Sequence, residues 1–226
     1  MAAPETANEP GAPGTDGQGG GQEDIAAFLG QSVAEADEAK LSLVMVRDVA
    51  VVSLLLTLYG AAETWAASSG LALAALVSTV DGLVVGVAVA ALLHEWGHFA
   101  GARLAGGHAP LKPMKGLAPT FPIFDFDYVN NDGRAFMWMS VGGNVAHWAV
   151  VALVLTCVPL GSPGAAALAA GAIGFAVFSS AVELPVIRRA SSGVPGMEAL
   201  GTIPRDFASR YMPFAVGAAA LAFLVL

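Results

Sequence analysis

Charge is scarce in this sequence. Only 12% of its 226 residues are Asp, Glu, Lys or Arg, about half the share of an ordinary soluble domain. Cations are scarcer still. Ten Lys and Arg stand against eighteen acids, for a net charge of −8, and this excludes a general nucleic-acid binder, which needs a basic face. A single cysteine, Cys157, excludes an internal disulfide framework and a cysteine-rich metal cage. Set in an apolar run, it reads as an inert buried thiol. The first 40 residues have neither the basic start nor the apolar stretch of a signal peptide, so insertion into a bilayer is expected to rely on a later span.

Apolar residues are abundant: 56% of the chain is hydrophobic and the mean hydropathy is +0.67, which points to a membrane. The acidity is local. Residues 1–40 hold eight acids and one base, Lys40, so −7 of the −8 sits there and 41–226 sums to −1. This defines two regions: a disordered acidic tail over 1–40, with a short amphipathic helix expected within 23–40, and a polytopic membrane domain over 41–226.

Four spans are expected in that domain: 41–60, a stretch near 79–104, 135–160 and 164–187. Residues 61–70 read as a small-residue connector, and the part of 71–106 before the second span as an approach segment. Pro185 is expected to end or kink the fourth span. A last apolar run, 212–226, has 15 residues and spans poorly or inserts partway. Between the second and third spans, TFPIFDFDYV (120–129) is rich in aromatic and β-branched residues and predicts an extended strand or hairpin. The expected fold is an all-α multi-pass membrane protein of four to five helices, with a short extended segment. With the amino terminus in the cytoplasm, all ten Lys and Arg fall on the cytoplasmic side and none in the outer loops 61–70 and 161–163. Arg47 and Asp48 sit near the start of the first span, where a long side chain can snorkel.

The chemistry concentrates in His94-Glu95-Trp96-Gly97-His98. Residues four apart share a helix face, so both imidazoles can meet one Zn²⁺ while Glu95 works as general base. Two His and a Glu inside an apolar helix are costly without such a role. Gly82 with Gly86, and Gly97 with Gly101, have the spacing that lets membrane helices approach closely.

HEWGHFAGARLAGG (94–107), inside a membrane span, resembles the metal-binding helix of the site-2 protease family, the intramembrane zinc metalloproteases. The resemblance implies zinc ligation by His94 and His98 and water activation by Glu95. The segment 120–129 is similar in position to the membrane-associated strands of that family, and GGN (142–144) resembles its glycine–asparagine element. The family's third ligand comes from an Asp-Gly pair after an Asn-x-x-Pro element. Here Val182 stands in place of that Asn, and Pro195-Gly196 in place of the Asp-Gly pair. A catalytic zinc needs three protein ligands and one open position. Glu183 is the first replacement, set against an ion pair with Arg188 or Arg189, and His147 is the second, set against a hydrogen bond between helices. Glu198 and Asp206 read as solvated surface, Asp81 as the outer membrane edge, and His108 as exposed.

The expected function is an intramembrane zinc metalloprotease cutting membrane-embedded protein substrates, with Zn²⁺ as cofactor, the lipid bilayer as its setting and no nucleic-acid partner. Asn144 is the candidate donor to the oxyanion or the substrate backbone. The composition fits a bacterial inner membrane. Two alternatives stand beside this reading: an inactive relative that binds membrane proteins without cleavage, and a metal or proton transporter using His94, His98, His147 and Glu183. The few spans and the lack of an internal repeat weigh against the transporter.

Overall fold

The computed structural model describes residues 40–114, 116, 119 and 121–226. The acidic tail and its expected helix lie outside this range, Lys40 apart. The described chain is an all-α multi-pass membrane protein. Its helices are α1 (Leu41–Ser69), α2 (Ala72–Leu104), α3 (Gly133–Cys157), α4 (Pro163–Ser191), the short α5 (Gly196–Leu200) and α6 (Phe207–Val225). All but α5 are long and apolar enough to cross a membrane. Their outer faces carry Leu43, Val46, Leu54, Leu73, Leu76 and Leu221, all exposed, as helices solvated by lipid require.

Helix boundaries depart from the hydropathy pattern in four places. Residues 61–69 continue α1 instead of forming a connector, because Ala, Glu and Thr lower hydropathy without breaking a helix. The helix ends where Gly70 turns left-handed at φ 65° and its N–H bonds to Ala66 O at 3.1 Å. α2 is one continuous helix of 33 residues, about 50 Å long. It exceeds a ~30 Å hydrocarbon layer and must tilt or protrude. α4 passes through Pro185 and stops only at Ser191, so the proline neither ends the helix nor sets its limit. α6 starts at Phe207, runs through Pro213 and reaches 19 residues, close to a full crossing. The starts of α3 and α4 follow local rules: Asp132 accepts from Ala135 N at 2.7 Å, and Ser162, before Pro163, accepts from Ala165 N at 3.0 Å.

α2 is the central helix, packed against α1, α3 and α4, and α4 in turn packs against α3 and α6. Its four paired glycines divide by partner. A Cβ at Gly82 or Gly86 would strike the backbone of α4 at Gly164 or Leu168. At Gly97 or Gly101 it would strike α3 at Gly142 or Trp138. α4 answers with Gly164–Ala172, small apart from Leu168 and buried throughout, as close helix packing without a hydrophobic driving force demands.

The described parts of the 105–132 connector pack against α2 and α3. Two arms run antiparallel, with Lys112 N–H donating to Ile123 O and Asp125 N–H to Pro110 O, both at 2.9 Å. Only one bridge results, Leu111 with Phe124, and among the described residues no strand forms where one was expected at 120–129. Pro110 has no N–H to extend the ladder, and Ile123 N–H turns to the Glu95 carboxylate instead, at 3.3 Å. Leu111, Ile123, Phe124 and Phe126 are buried in a core with Phe99, Ala102, Phe136 and Val186.

Two more expectations change. Arg47 does not snorkel: it is buried, its Nε donates to Asp48 Oδ1 at 2.7 Å, and Trp96 Nε1 donates to Asp48 Oδ2 at 2.9 Å. Cys157 closes α3 in an exposed position and is not a buried thiol.

Candidate metal centre

One turn of α2 separates His94 from His98, and α4 brings Glu183 across to them. His94 Nε2 lies 3.0 Å from His98 Nε2, and Glu183 Oε1 lies 3.0 and 3.1 Å from these two nitrogens. The three atoms form a nearly equilateral triangle. Ligands at zinc distances on a tetrahedron stand about 3.3 Å apart, so a small opening of the triangle admits the ion. The side chains of His94, His98 and Glu183 are 7%, 15% and 20% exposed. The site is therefore shielded, with His94 the most enclosed of the three.

Each donor is held from behind. His98 Nδ1–H donates to Met139 O of α3 at 2.8 Å, which leaves Nε2 to face the triangle. Gly143 makes room for that ring, since a Cβ there would overlap three of its atoms. Asn144 Nδ2 donates to Glu183 Oε2 at 2.6 Å and lies 3.4 Å from Ser140 O. The GGN element thus has three separate tasks: Gly142 admits α2, Gly143 admits His98, and Asn144 orients Glu183. His94 has His147 Nδ1 3.0 Å from its own Nδ1, Ser179 Oγ 3.2 Å from its Nε2, and the Phe175 ring edge-on at 5.5 Å. A His₂Glu set with oriented outer partners is a donor set that zinc accepts, and these three residues form the candidate metal group among those described.

Glu95 points to the connector, where Ile123 N–H holds its carboxylate. Nearby, burial together with the Glu95 and Asp125 carboxylates pushes the Tyr128 hydroxyl up to about 12, so it stays a protonated donor at neutral pH. Tyr128 packs on Phe126 and Phe136.

The other sequence candidates separate clearly. Glu183 joins the histidines; Arg189 instead meets Glu198 at 3.6 Å. His147 is fully buried, behind His94 and outside the ligand triangle. Asn144 donates to Glu183. Pro195-Gly196 lies elsewhere, with Gly196 against the Phe136 ring. His108 is exposed as expected, 3.6 Å from Asp127. Sequence reasoning missed Ser179, Ser180 and the Met139 carbonyl. A polar Ser-Ser pair one turn before Glu183 in an apolar span was the available signal; nothing in a sequence marks a carbonyl.

No family model matches the chain, and neither a curated protein nor a solved structure matches it.

Proposed function

We propose that this protein is a membrane-embedded zinc metalloprotease of the kind its motif helix resembles, the site-2 protease family, acting on membrane proteins. The observation that carries the reading is the triangle of His94, His98 and Glu183, with Glu95 next to His94 in the chain. Glu183 fills the place left by the missing Asp-Gly pair, and this weighs against the inactive relative.

When bound, zinc supplies a water that ionises near neutral pH and an electrophilic pole for a carbonyl oxygen. His94, His98 and Glu183 would hold it. Glu95 accepts the proton of the attacking water, and Ile123 N–H keeps its carboxylate at the edge of the connector. In the register of the two arms, the backbone groups of Phe124 and Phe126 face away from the 108–112 arm, an edge to which an unwound substrate can add as a strand. Tyr128 offers a protonated hydroxyl near the Glu95 carboxylate. The Lys and Arg distribution supports a cytoplasmic amino terminus, and the composition a bacterial inner membrane.

Comparing protein termini in membranes from cells expressing wild type or Glu95→Gln tests this reading. The variant should keep its zinc and lose the new termini, with turnover down at least about a hundredfold. Wild-type cleavage by Glu95→Gln would refute the mechanism.

A further inference from the structure

We infer that His147 is a positioning residue of the metal centre: it sets the tautomer of His94 and, through Ser180 and Asn144, ties that ligand to Glu183. The inference rests on the metal-site reading above, but it starts from counting protons. Trp148 Nε1 and Asn144 Nδ2 can only donate. The first points at Ser180 Oγ, 3.0 Å away, and the second at Glu183 Oε2, 2.6 Å away. This orientation of the amide leaves Asn144 Oδ1 facing Ser180 Oγ at 3.1 Å. Oδ1 can only accept, so the single Ser180 proton goes to it.

His147 Nε2, 3.2 Å from the same hydroxyl oxygen, must then be the donor, because two bare lone pairs at that distance repel. His147 has no exposed surface, and a neutral imidazole carries one proton, so its Nδ1 is bare. His94 Nδ1, 3.0 Å from that bare nitrogen, carries the proton between them. The Nε2 of His94 is thereby left with its lone pair, as His98 Nε2 is by the bond from His98 Nδ1 to Met139 O. With both rings neutral, two lone-pair nitrogens and a carboxylate oxygen converge at 3.0 to 3.1 Å, and Ser179 Oγ stands 3.2 Å from His94 Nε2. This wiring aims both ring lone pairs at the place a cation would take. The circuit His94–His147–Ser180–Asn144–Glu183 leaves the ligand group at one member and returns to it at another, and α3 and α4 supply all but its first residue.

The test uses the full chain in detergent, with zinc titrated against a competing chelator and with ¹⁵N-labelled histidine. In metal-free wild type, His147 should carry its proton on Nε2. His147→Phe should weaken zinc binding about tenfold to a hundredfold. His147→Asn, whose side-chain oxygen can stand where Nδ1 stands, should recover most of that loss and keep the wild-type Co²⁺ absorption, since the ligands are unchanged. A proton on His147 Nδ1 would overturn the inference, as would wild-type zinc affinity in His147→Phe. Loss of zinc in both variants as complete as in His94→Ala would also overturn it, by making His147 a ligand. Wild type that takes up no zinc would refute the metal reading alone, and the ring tautomer would still decide the wiring.

Discussion

At the scale of single residues, the candidate metal centre depends as much on what is missing from a side chain as on what is present. Gly143 has no Cβ, and the His98 ring occupies that space. Gly143→Ala should therefore displace His98 and weaken zinc binding at least about tenfold, while leaving the protein folded; unchanged affinity by chelator competition would contradict the crowding. The two histidines and Glu95 were legible in the sequence because a four-residue spacing places ligands on one helix face whatever the tertiary fold. Glu183 was legible only as one of two candidates, since its position depends on how α4 packs against α2. Asn144 was noticed by its place in GGN and not by its bond to Glu183. Its partner sits 39 residues away on another helix, and no local pattern reports that.

Helices and connectors reveal a different balance. Hydropathy located all five long helices but misplaced their ends, because it measures burial in lipid while helix ends obey backbone rules. Ala-rich stretches such as 61–69 prolong a helix after its hydropathy has faded, and the helix around Pro185 continues to Ser191. The glycine spacings were a sound guide to close packing, and their partners were invisible. Gly86→Ala should destabilise the bundle by about 1 to 3 kcal/mol, since the added methyl meets the Leu168 carbonyl. Gly60→Ala, with nothing near its Cβ, should be neutral or slightly stabilising. Equal effects in thermal unfolding would undo the packing argument.

The connector carries its own pH dependence. Hydrogen bonds from the Asn130 side chain, and from the Asn130 and Val129 N–H groups, hold the Asp127 carboxyl below the usual carboxylate range. A depressed native pKa contributes stability that is complete above the unfolded value, near 4, and is lost as pH falls through the folded one. Asp127→Asn should therefore melt earlier than wild type at pH 7, with the gap closing toward pH 3. A gap that widened on acidification would reverse the sign and refute this account of the turn.

For the whole molecule, α1 packs on α2, and two polar clasps fasten it. Glu63 accepts hydrogen bonds from Ser78 of α2 and Ser162 before α4. Asp48, paired with Arg47, accepts from Trp96 inside the motif helix. α2, α3 and α4 form the core from which the ligands and their outer partners project. The central claim is that α2 and α4 hold one metal ion through His94, His98 and Glu183, with α3 supplying their outer partners. Zinc per chain in the detergent-purified protein tests it most directly, with wild type measured beside His94→Ala and Glu183→Ala. The account predicts about one zinc in wild type and almost none in either variant. A metal-free wild type after growth with added zinc, or full occupancy in Glu183→Ala, would contradict it.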